Sequence, residues 1–166
     1  MPYAAGQALR LDSRWWNQLN TNEQDGFILG FYDCHGKAGG PKNASTMAIR
    51  SFVTAYLSKH GNAAIPTALT SATNSMREPP PSPGGEYYPG PHGWLDGDWW
   101  GVGLDGHEFY QTGYVEGYLQ CNSHRVLMEQ VKRGIQEVDR GYAHVPVSTP
   151  VAHVLQHAIN AGLVQP

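Results

Sequence analysis

Glu108 and Glu116 lie eight residues apart in a stretch of helical character. Two carboxylates flanking a cleft could act as general acid and base on a glycan or a peptide. Asp33 is a third carboxyl group of the same neighbourhood. His153 and His157 are spaced i, i+4, so one helix face could offer both to a metal. No HExxH surrounds them and no third ligand is identifiable, so no metal is assigned. His35 and His124 sit near Cys34 and Cys121 and would complete a Cys/His site only if those segments packed together. Asp96, Asp98, Asp105 and Glu108 have the look of a calcium loop. Counted from Asp96, however, the fifth position holds Trp100 and the twelfth His107, so the pattern fails. Capping and turn roles are expected for these aspartates. GVGLDG at 101–106 has dinucleotide-type glycine spacing, but Asp98, Trp99 and Trp100 precede it where a strand is required, and no βαβ unit follows. No Ser-His-Asp signature, P-loop or CxxC is present, and no cofactor is expected.

These residues must be placed by a chain of 166 residues, enough for one ordinary domain. A net charge of -3 gives no electrostatic pull on nucleic acid, so no nucleic-acid partner is expected. No apolar run reaches the length of a membrane span. The opening MPYAAGQALRLD lacks the basic and apolar regions of a signal peptide. A chain already processed would look the same.

Self-similarity is the strongest signal. LDSRWW at 11–16 matches LDGDWW at 95–100, and GFILGFYDC at 26–34 matches GYVEGYLQC at 113–121. IPTAL at 65–69 follows the first set as TPVAH at 149–153 follows the second, with Pro66 against Pro150. Three landmarks in one order predict an internal duplication. Module one spans 8–77 and module two 92–166, joined by a linker over 78–91. The surrounding stretch REPPPSPGGEYYPGPHG is too rich in proline and glycine for helix or strand. It reads as a stiff connector, with Tyr87 and Tyr88 as the side chains a recognition loop would use. Half of this chain would bury too little surface alone, so the modules are expected to share one core within 1–166.

Thr21 and Gln24 form a capping-box pattern, predicting a helix from about Asn22 to His35. Gly26, Gly30 and Cys34 fall on one face of it, as do Gly113, Gly117 and Cys121 on its counterpart. A glycine costs about 1 kcal/mol inside a helix, so two per helix imply close approach of another backbone. If the two helices pack with like ends together, Cys34 and Cys121 can bridge, the favoured arrangement. If they cross antiparallel, both thiols stay apart as small packing residues. Glu116 replaces Leu29 of the first copy and is expected at a solvated helix position. Further helices are predicted over Ser45–His60, from Pro66, from near Ser123 to Val138, and from Pro150, with Thr149 as its cap and Gly162 as its stop. No stretch alternates with period two, so the fold class is all-α with long loops. The tryptophan pairs are expected to anchor the cores of the modules, with at least one ring of each pair buried.

YQTGYVEGYL at 110–119 and HVPVSTPVAHVLQHAINAGL at 144–163 resemble the Tai-type immunity proteins of type VI secretion. That resemblance implies a small periplasmic, helical, disulfide-bearing inhibitor of a peptidoglycan amidase. It covers about half of the chain, and two differences stand beside it. The family pattern has one copy per chain and a cysteine at the Ile-Pro turn, where this sequence has Ala64 and Val147. The leading expectation is a secreted or periplasmic, non-catalytic protein that binds another protein. One alternative is a small hydrolase with a cleft between the modules near Trp94, Trp99, Glu108 and Glu116. The other is a structural subunit of a larger assembly. Candidate binding residues are Tyr87, Tyr88, Trp94 and Trp99.

Overall fold

The structure is a computed structural model, described here for residues 11–35, 45–76, 95–101, 107–122 and 125–165. Among these residues it is all-α, with no strand. Helices α1 (Ser13–Gln18), α2 (Thr21–Cys34), α3 (Thr46–Lys59) and α4 (Ile65–Ser75) form the first half. Helices α5 (Gly97–Gly101), α6 (His107–Asn122), α7 (Met128–Tyr142) and α8 (Val151–Asn160) form the second. Their buried side chains make one cluster, with Trp16, Phe27, Tyr32, Ile49, Trp100, Tyr114, Leu119 and Leu155 among its largest members.

The cap of α2 is Asn20, whose Oδ1 accepts the Glu23 N–H at 2.8 Å. This corrects the expected Thr21 box by one residue: Asn20 satisfies a free amide of the first turn, and Thr21 is already helical. Ser45 caps α3 through the Ala48 N–H. Helix α7 begins at Met128 and continues past Val138 to Tyr142, and Ser123 and His124 lie outside the described residues. Pro150 caps α8 and Val151 is its first residue, one place later than the Thr149 start expected. Gly162 ends the turn after α8 with φ of 75°, a conformation open to glycine.

Helices α2 and α6 run parallel at the centre. An added Cβ on Gly26 would meet the Tyr110 carbonyl oxygen at 2.3 Å, and one on Gly30 would meet that of Tyr114. In return, Gly113 faces the Glu23 carbonyl and Gly117 the Phe27 carbonyl, both at 2.1 Å. Each helix thus beds its glycines against the other's backbone. Like ends lie together, and Cys34 and Cys121 are bridged across a Cα–Cα distance of 6.0 Å.

The outer helices attach to this pair through contacts that recur in both halves. The Leu11 carbonyl accepts the Ile65 N–H and the Leu95 carbonyl accepts the Val151 N–H, both at 2.9 Å. Gln24 and Gln111 each donate to the carbonyl of a tryptophan, Trp16 and Trp100 respectively. Trp16 Nε1 donates to Thr54 on α3, and Trp100 Nε1 donates to Asp139 on α7. Asp12 and Asp96 accept amides of the short helices that carry those tryptophans. These hydrogen bonds pair Ile65 with Val151, two residues beyond the Thr149 that the Pro66–Pro150 match sets against Ile65. The buried sets follow the corrected register: Ile65, Ala68, Leu69 and Ala72 on α4 answer to Val151, Val154, Leu155 and Ala158 on α8.

Candidate functional site

Two regions carry polar groups that packing alone does not explain: the α2–α6 contact, and a groove between α7 and α8.

Glu116 is 1% exposed, and its Oε1 has no hydrogen-bond partner. The expected solvated position is therefore wrong: Glu116 takes the interior place that Leu29, also buried, takes on α2. Burial pushes its carboxyl well above the usual range, and the charge of Glu23 adds to the shift. Burial also raises Glu23, to about 7. Asp33 rises to about 6 by burial, against the hydrogen bond it accepts from Tyr114 at 2.8 Å. That bond joins α2 to α6 beside the disulfide. Glu108 is exposed, two turns away along α6, so Glu108 and Glu116 do not share a cleft.

Four acids, Glu23, Asp25, Asp33 and Glu116, hold protons more tightly when folded because they are buried, and they set the pH dependence of stability. Where the unfolded chain is ionised and the folded chain is not, each rise in pH favours unfolding. The contribution is complete below about pH 4, and is lost through pH 6 for Asp33 and pH 7 for Glu23. The urea midpoint is expected to be higher at pH 5 than at pH 8. Glu116→Leu should stabilise the protein at pH 8 by about 1–4 kcal/mol and flatten the profile. A midpoint that holds steady or climbs from pH 5 to pH 8 would contradict this assignment.

The groove between α7 and α8 has a volume of about 410 Å³. Val154, Ala158, Val145 and Leu163 supply apolar walls, and His144, His153 and His157 stand around them. The turn after α7 is held in place from two sides. Tyr142 donates to the Thr149 carbonyl at 2.6 Å, and the Gly97 N–H donates to the Val147 carbonyl at 2.8 Å. Of the lining residues, Val145 and Leu163 remain 36% and 42% exposed, which leaves apolar surface at the groove. Glu137 also lines the groove and is only 4% exposed. Arg140 approaches its Oε1 to 3.1 Å and Arg133 to 3.7 Å, both within ion-pair range. The buried carboxylate of Glu137 is thus compensated by two guanidinium groups.

The other candidates fall as follows. His153 and His157 are exposed at the groove, and among the described residues no three His, Cys, Asp or Glu side chains come together to hold a metal. Trp99 is half-buried, 5.6 Å from the His107 ring and 5.5 Å from that of Tyr114, while Trp15, Trp16 and Trp100 are buried. Tyr87, Tyr88, Trp94, Asp105 and His124 lie outside the described residues. Glu137 was not singled out from the sequence, although a signal exists. It falls within the apolar stripe of α7, directly before Val138 and three residues after Gly134, with arginines at i−4 and i+3.

Comparison of the chain with family models, curated proteins and solved structures gives no match. No helix of the described residues is long and apolar enough to cross a membrane.

Proposed function

We propose that the chain is a duplicated, disulfide-locked helical protein of an oxidising compartment, periplasmic or extracellular, that binds another protein without catalysis. The observation that carries this reading is the α7–α8 groove, an apolar concavity bordered by exposed Val145 and Leu163. The disulfide supports the compartment, because such bridges persist where glutathione does not reduce them. The recurring Leu, Gln, Trp and Asp hydrogen bonds support the duplication. The acids with displaced titration lie on α2 and α6 rather than in the groove, which favours recognition over acid–base chemistry. The resemblance to Tai-type immunity proteins points the same way.

Val145→Asp combined with Leu163→Asp places charge on the exposed border without touching the core. In a pull-down from the native host, wild-type protein is expected to retain one partner in stoichiometric amount. The double variant should retain at least tenfold less, at an unchanged melting temperature. Equal retention by both would remove the groove from the interface.

A further inference from the structure

The repeat sets Leu29 and Asp33 of α2 against Glu116 and Gln120 of α6. Asp33 has a donor from across the helix pair, the Tyr114 hydroxyl at 2.8 Å. The mirror contact would bring residue 27 to Gln120. Phe27 stands there, and it has no hydroxyl to give. Gln120 Oε1 is buried and has no hydrogen-bond partner among the described residues. Glu116 Oε1 is in the same condition, on a side chain sealed in the interior place that Leu29 takes on α2. Glu116 and Gln120 are spaced i, i+4 within α6, so their side chains are neighbours on one face of the helix.

Two acceptors without a donor cannot satisfy each other, and each is costly where water does not reach. One proton resolves both. We propose that Glu116 is a carboxylic acid in the folded protein at neutral pH and donates its proton to Gln120 Oε1, which makes that proton a structural ligand of the α2–α6 contact. The surrounding charges agree. Glu23 on α2 acts on Glu116, and its charge is negative. Asp25 on α2 is engaged with Arg50 on α3, and Glu137 on α7 with Arg133 and Arg140. Arg14 on α1, Lys59 on α3, Lys132 on α7 and both histidines of α8 are exposed. Ionised in place, Glu116 would be a buried charge without compensation. The contact is thus held twice, by a proton at Glu116 and by the Cys34–Cys121 bridge at the ends of the helices. Base removes the first and leaves the second. The device belongs to the second half alone, because Leu29 has no proton to hold.

The test uses the full chain with its disulfide intact. An infrared difference spectrum of wild type against Glu116→Gln at pH 7 should show the carbonyl band of a protonated carboxylic acid, present in wild type and lost in the variant. The variant's own amide can donate to Gln120, so its melting temperature at pH 7 should match that of wild type. In wild type labelled with ¹³C and ¹⁵N, the Gln120 side-chain amide signals should shift with the same midpoint as the Glu116 carboxyl carbon. Gln120→Leu, first shown to melt cooperatively, should keep the acid band and move it to higher frequency. A merely buried acid would show the band and leave the Gln120 signals still. That outcome, an ionised Glu116 at pH 7, or an acid band unmoved by Gln120→Leu would each overturn the proposal.

Discussion

Gly30→Ala is expected to destabilise the protein by about 4 kcal/mol or more, enough to remove much of the stability of an ordinary domain. The added methyl would lie 2.7 Å from the Tyr114 carbonyl carbon and 2.9 Å from its Cα, and closer still to the carbonyl oxygen. All three are backbone atoms, so no rotamer change relieves the overlap. Helices α2 and α6 would have to separate along a contact that also seats Phe27, Phe31, Tyr114 and Tyr118. Intrinsic propensity acts in the opposite direction and favours alanine over glycine by about 1 kcal/mol. The sign of the measured change therefore reports which term governs. Gly117→Ala should behave alike, since its Cβ would meet the Phe27 carbonyl. Gly61 has no atom within 4 Å of the added methyl, and Gly61→Ala should stay within about 0.5 kcal/mol. Urea denaturation of the three variants checks the set. A Gly30→Ala protein as stable as wild type would show that the central helices do not meet at that glycine.

Reduction of the Cys34–Cys121 bridge should cost roughly 4–5 kcal/mol. The bridge spans 87 residues of sequence, and closing a loop of that length restricts the unfolded chain by about that free energy in the chain-entropy account. The bridge acts mainly on the unfolded chain, so the loss should appear as a lower denaturant midpoint with helical circular dichroism preserved in buffer. Paired denaturation curves with and without a phosphine reductant measure it, and Cys34→Ser with Cys121→Ser should reproduce the reduced curve. A shift below about 1 kcal/mol would mean that the unfolded state is not held by the bridge.

The central helix pair was legible in the sequence because its cause is local and repeated. Glycines at i and i+4 have no reason to sit inside a helix unless another backbone comes close, and Gly26, Gly30, Gly113 and Gly117 say this twice. The short helices α1 and α5 were not legible as helices. Five or six residues give no periodicity, and the sign that could have shown them is the aspartate before each tryptophan pair, which acts as a cap. The burial of Glu116 went unread for a different reason. A charged side chain is assigned to solvent by default, whereas the matched Leu29 already marked that position as interior. The groove was hidden because it forms only where α7 and α8 pack together, and neither segment's own pattern marks it.

The bridge also changes what a cut in the chain means. Met76 and Leu95 bound the connection between the halves, and the sulfur link lies on the far side of both. A protease that cleaves once between them would leave two polypeptides held as one molecule, running as a single band without reductant and as two with it. Such a two-chain form would keep every contact between α2 and α6, and could not drift apart when diluted.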